Sequence, residues 1–118
     1  MTVWRRKSVK MNEKLLQFLG IARRAGKLSL GNDAAVEAMR KGQTALLLLA
    51  SDLSPRTAGG IRLAAEEEDV AAVTSGATMD EISMALGKRT GVIAVNDAGF
   101  AKKMLALCKA DEATGTQE

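Results

Sequence analysis

Three short stretches of this sequence carry residue types that could do chemistry, and each combines glycine with cations or short polar side chains. Gly20-Ile21-Ala22-Arg23-Arg24-Ala25-Gly26-Lys27 has the outline of a phosphate-cradling loop. Its glycines stand too far apart for a P-loop, Leu28 takes the place of the magnesium-binding hydroxyl, and the pattern before it is helical where a strand is required. What remains is a helix end with a glycine stop and a basic surface. Gly31-Asn32-Asp33 opens a helical pattern: free backbone N–H groups there attract phosphate oxygens, Gly31 lets a nucleic-acid backbone come close, and Asn32 and Asp33 are short enough to reach base edges. The same residue types are also ordinary helix caps. In the glycine-bounded turn Gly87-Lys88-Arg89-Thr90-Gly91, Lys88 and Arg89 are either phosphate ligands or two solvated surface charges.

The residues that are missing narrow the chemistry further. With no His and one Cys, the chain has no Cys-His zinc site, no Ser-His or Cys-His triad and no His acid–base group. Cys108, beside Leu105 and Leu107, reads as a packed hydrophobe, and a lone cysteine fits a reducing interior. The run Glu66-Glu67-Glu68-Asp69 reads as a solvated face of a helix end in preference to a metal site. No paired acid and base remains, so the expectation is a non-catalytic protein without metal or cofactor. Two Phe, one Trp and no Tyr argue against aromatic base-stacking platforms.

Charge is unevenly placed. Arg5, Arg6, Lys7 and Lys10 make the first ten residues basic, Asp111, Glu112 and Glu118 make the tail acidic, and the body between them is weakly positive. Such a balance permits nucleic-acid binding at a local patch without requiring it. No apolar run follows the basic head, which is therefore expected to be neither a secretory signal nor a membrane span, and a cytoplasmic protein is expected. The expected organisation is a basic extension over residues 1–10, one domain over residues 11–109 and a frayed acidic tail over residues 110–118.

The elements that would position the three stretches follow from periodicity. Leu15, Phe18, Leu19 and Ala22 recur at helical spacing, predicting a helix over about residues 12–25 that stops at Gly26. Residues 27–30 suit a short strand, and a second helix is predicted over residues 33–41 with Gly42 as its stop. The unbroken apolar run at residues 45–50 suits a strand covered on both faces. Ser54-Pro55 is an N-cap with proline at the first helical position, although Gly59-Gly60 weakens the helix that follows. Residues 70–73 suit a strand, Thr78-Met79-Asp80-Glu81 fits a capping box before a fourth helix ending at Gly87, residues 92–95 form another buried strand, and Asp97 caps a last helix. Helices alternating with buried strands require crossovers, so the expected fold is an α/β class three-layer α/β/α sandwich with a mixed, partly parallel sheet.

Taken together, Leu19-Gly20-Ile21-Ala22-Arg23-Arg24-Ala25-Gly26-Lys27, then Gly31, then Leu47-Leu48-Leu49-Ala50-Ser51-Asp52-Leu53-Ser54, and finally Leu86-Gly87-Lys88 with residues 92–100, resemble the kink-turn-binding ribosomal protein family of archaeal L7Ae, in its bacterial YlxQ-type members. The resemblance implies the same α/β/α sandwich, no catalytic activity, and recognition of an RNA kink-turn, a sharp duplex bend carrying tandem sheared G·A pairs. It also implies an RNA surface that joins the start of the second helix to the loop before the last strand. Gly31 matches the family's glycine, Asp33 stands at its asparagine, Ala34 at its glutamate and Glu37 at its lysine, and Arg89 and Val92 fall in its second RNA-contacting loop. Joined to the residue reading above, the expected RNA-binding residues are Lys27, Gly31, Asn32, Asp33, Lys88, Arg89 and Val92: Asn32 and Asp33 read guanine edges, Lys88 and Arg89 clamp phosphates, a cation such as Arg89 or Lys27 offsets the Asp33 carboxylate, and Val92 packs against an extruded base. The implied partner is structured RNA, either a kink-turn or ribosomal RNA, with the ribosome as a further candidate and the protein acting as a monomer. Because Ala34 has no polar group and Glu37 reverses a charge, a second reading stays open. It is a protein-interaction or ribosome-assembly module on the same fold that has lost kink-turn readout.

Overall fold

The computed structural model describes the backbone of residues 2–117 and the side chains of residues 13–108, so the basic head and the acidic tail lie outside the residues whose side chains are described. Nine elements follow in order: α1 (Thr2–Arg24), β1 (Leu28–Leu30), α2 (Asn32–Arg40), β2 (Leu46–Leu49), α3 (Pro55–Glu67), β3 (Ala72–Thr74), α4 (Met79–Leu86), β4 (Val92–Val95) and α5 (Ala98–Gln117). α1 begins well before the expected residue 12, and β3 lies slightly later than the expected residues 70–73. α3 runs through Gly59-Gly60 without a break, because Ile61 and Ala65 are fully packed and hold the helix to the sheet against the low propensity of glycine.

The four strands form one sheet in the order β1-β4-β2-β3. β4 is antiparallel to both β1 and β2, whereas β2 and β3 are parallel and joined by α3 as a crossover. The sheet is therefore mixed and partly parallel. Its two central strands are buried along their whole length, and alternation divides their side chains between two cores. Leu46, Leu48, Ile93 and Val95 meet Leu15, Leu19 and Ala22 of α1, Ile82 and Leu86 of α4, and Ala101, Met104 and Cys108 of α5. Leu47, Leu49, Val92 and Ala94 meet Ala35, Ala38 and Met39 of α2 and Ile61 and Ala65 of α3. Three helices thus cover one face and two the other. The absence of polar/apolar alternation in residues 46–49 is the sequence trace of this double coverage.

Each of these leucines removes enough apolar surface from water to stabilise the fold by about 1.5–3 kcal/mol. Leu48→Ala is expected to cost roughly 2–5 kcal/mol in chemical denaturation, through lost burial and the cavity left behind. Leu63→Ala on the outer face of α3, where the side chain is 58% exposed, should change stability by less than about 0.5 kcal/mol.

Candidate functional site

The direction of the strands decides where the loops meet. β1, β2 and β3 run the same way and β4 runs against them, so the C-terminal ends of three strands and the N-terminal end of β4 share one end of the sheet. Backbone hydrogen bonds stitch that end together. Gly31 N–H donates to the Val92 carbonyl at 2.9 Å, Ala50 N–H to the Gly91 carbonyl at 2.9 Å, Ser51 N–H to the Ala77 carbonyl at 2.8 Å and Ser75 N–H to the Leu49 carbonyl at 2.8 Å. The first turns of α2, α3 and α4 and the loop spanning residues 87–91 are therefore neighbours. At the carboxyl ends of α/β strands, helix N-termini present backbone donors and partial positive charge.

The three helix starts differ in how their donors are satisfied. Ser54 Oγ accepts from Thr57 N–H at the start of α3. At the start of α4, Thr78 and Glu81 form a reciprocal capping box, and Asp52 Oδ1 accepts from Met79 N–H at 2.9 Å. α2 has no side-chain cap: its N-cap is Gly31, at φ 97 and ψ 161, a conformation that is essentially restricted to glycine. Asn32, Asp33 and Ala34 follow it on the exposed surface, with Asp33 in the first turn where the helix dipole favours its charge. The first-turn amides of α2 thus face outward without a side-chain acceptor.

The loop beside them is already shaped. Gly87 ends α4 in the left-handed conformation and donates to the Ser83 carbonyl. The buried Thr90 hydroxyl donates to the Val92 carbonyl at 3.0 Å and accepts from Val92 N–H at 3.3 Å. Gly91 sits so tightly that an added Cβ would lie 2.6 Å from Leu53 Cδ1 and 3.2 Å from Met79 Sδ. Lys88 and Arg89 are exposed on this scaffold, and the Arg89 guanidinium forms an ion pair with the Asp80 carboxylate of α4.

Of the residues expected at the site, Gly31, Asn32, Asp33, Lys88 and Arg89 come together at this end of the sheet, and two do not fit their expected parts. Lys27 lies at the opposite end of β1, where its carbonyl accepts from Asn96 N–H at 2.7 Å. The strand between it and Gly31 separates the two by roughly 13 Å, too far for Lys27 to offset Asp33. Val92 is 3% exposed and packs in the core against α2 and α3, so its side chain is not free to meet an extruded base. Its contribution is the carbonyl that holds Gly31 and Thr90. Sequence reasoning missed Asp52 and Asp80, whose partners stand 27 and 9 residues away, and the packing of Gly91 between Leu53 and Met79. Only the second glycine of the basic turn hinted at the last of these.

A profile of the Ribosomal protein L7Ae/L30e/S12e/Gadd45 family matches residues 13–105, a span that takes in both loops and every strand. The chain belongs to this family. Among solved structures, it is similar to a protein of unknown function from Bacillus halodurans, with 33% identity over 81% of this chain and 97% of that one and a TM-score of 0.75. It also shares its fold with the 15.5kD RNA binding protein of Giardia lamblia, at 17% identity over 89% of this chain and 90% of that one, with a TM-score of 0.68. This L7Ae-family chain thus shares its overall α/β fold with both neighbours. Among the described residues, no helix is long and apolar enough to cross a membrane, and no cluster of acidic or cysteine side chains could hold a metal ion.

Gly31 provides a direct check of the local argument. Gly31→Ala should cost about 1–3 kcal/mol in urea denaturation, because an L side chain strains that backbone conformation even though nothing crowds it. Gly59→Ala, a helical glycine with equally open surroundings, should instead stabilise by about 0.4–1 kcal/mol.

Proposed function

We propose that this L7Ae-family protein recognises structured RNA containing a kink-turn or a similar bend, without catalysing a reaction and as a monomer. The observation that carries the reading is the uncapped start of α2, joined through Gly31 and Val92 to a preformed basic loop. Gly31 lets the bent backbone approach the outward amides of α2, which donate to phosphate oxygens. Asn32 and Asp33 meet guanine edges, the carboxylate accepting from amino and imino groups. Lys88 and Arg89 hold phosphates on the other side of the bend. Family membership and the RNA binding named for the Giardia lamblia relative support this reading.

The two departures from the family pattern weigh differently in the structure. Ala34 leaves base readout to Asn32 and Asp33. Glu37 pairs with Lys41 one turn further along α2, at 3.0 Å, so its charge is offset and drawn away from the helix start. Readout of bend geometry should therefore outweigh readout of base identity, and ribosomal RNA with such a bend falls within the proposed targets.

The test is a titration against a kink-turn RNA and against a duplex in which Watson–Crick pairs replace the sheared G·A pairs, at matched salt. A preference for the kink-turn is the expected result. Binding to neither RNA would favour a protein-docking role on the same fold. Arg89→Glu should weaken kink-turn binding roughly ten-fold or more and flatten the salt dependence by about one phosphate contact. An unchanged affinity would remove Arg89 from the interface.

A further inference from the structure

The Arg89–Asp80 ion pair joins the residue best placed to hold a phosphate to a carboxylate that competes for it. Asp80 lies in the first turn of α4, where the helix dipole favours its charge, and the two side chains are 57% exposed for Arg89 and 78% for Asp80. A pair this open to water is weak, so a well-placed phosphate is able to displace the carboxylate. We propose that Asp80 is a specificity-determining residue that guards Arg89, withholding its guanidinium from arbitrary phosphates and yielding it to a backbone whose bend is anchored at the start of α2. This rests on the RNA-binding reading of the same site.

The alternative role for Asp80, as a strut for the loop, is already filled. Gly91 is packed between Leu53 and Met79, its carbonyl accepts from Ala50 N–H, and the Thr90 hydroxyl is bound to the backbone of Val92. The start of α4 keeps its Thr78–Glu81 capping box and its Asp52 acceptor without Asp80. Removing the Asp80 charge therefore frees a cation without loosening the scaffold that carries it. The local charge balance fits a guard. Asp52, bound to Met79 N–H, and Asp80, paired with Arg89, set two carboxylates at the start of α4 against that one guanidinium. Neutralising one carboxylate tips that balance and releases one phosphate ligand at once.

The experiment compares the full-length protein with Asp80→Asn, Arg89→Gln and the double variant on the kink-turn RNA and on the Watson–Crick control duplex, across a salt series that starts low. Asp80→Asn should tighten control-duplex binding about two- to five-fold and steepen its salt dependence by about one contact. Kink-turn affinity should rise less, so that discrimination falls. In the Arg89→Gln background the gain should disappear, which separates a guard on Arg89 from a general loss of negative charge. No gain, weaker binding, or the same gain without Arg89 would overturn the proposal. A wild type that binds both RNAs equally would count against kink-turn recognition and would overturn the specificity role of Asp80 with it, whereas a kink-turn preference with no control-duplex gain in Asp80→Asn would overturn the guard alone. If neither the wild type nor Asp80→Asn binds the control duplex at low salt, the guard falls; the RNA-binding reading falls with it only if the kink-turn RNA is left unbound as well.

Discussion

β4 hydrogen-bonds to β1 on one side and β2 on the other and runs against both. The remaining architecture of the site depends on that antiparallel pairing. Had β4 entered the sheet in the direction of its neighbours, the loop before it would have opened at the far end of the sheet. Because it enters reversed, Val92 arrives beside the C-terminal ends of β1 and β2, and its carbonyl meets Gly31 N–H. The register that pairs Leu30 with Ile93 and Leu49 with Val92 holds the basic loop of residues 87–91 against the start of α2. A slip of one residue would exchange the two faces of β4, placing Ile93 and Val95 under α2 and α3, and the two cores resist it together.

Rigidity at this end comes from short polar groups and close packing, and the helices that could have offered bare termini are mostly closed. Ser54, Thr78, Glu81 and Asp52 satisfy the starts of α3 and α4, whereas glycine leaves α2 open. Stability and exposure are thus distributed within a few residues of one another. Capping holds two helices in place, and the position at which a backbone conformation restricted to glycine is maintained is the one that faces outward. Glycine takes that conformation without strain, and the hydrogen bond from Gly31 N–H to the Val92 carbonyl of β4 fixes it there.

Two ion pairs restrain the charges around this end of the sheet. Glu37 is drawn toward Lys41, and Arg89 is paired with Asp80. Surface pairs of this kind add little to folding, but they govern which charges are available to a polyanion and at what cost. The RNA interface proposed for this end relies on geometry, and the weakly positive body of the chain agrees with it.

Much of the fold was legible in the sequence because it is encoded locally. The unbroken apolar run at residues 46–49 is double burial written in residue type, Ser54-Pro55 and Thr78 with Glu81 are caps whose partners lie within one turn, and Gly26, Gly42 and Gly87 end helices through a conformation that side chains disfavour. Gly31 and the basic turn could be marked as candidates for the same reason. The sequence alone determined the elements, the two-sided sheet and the residue types able to meet RNA. Tertiary structure decided which of them act together. Lys27 stands only four positions from Gly31, yet an intervening strand carries it to the other end of the sheet, while the parallel crossover through α3 brings Asp52 and Asp80, far apart in sequence, to the same end. Strand direction and register set those distances, and both arise from long-range hydrogen bonding and packing that no local spacing records.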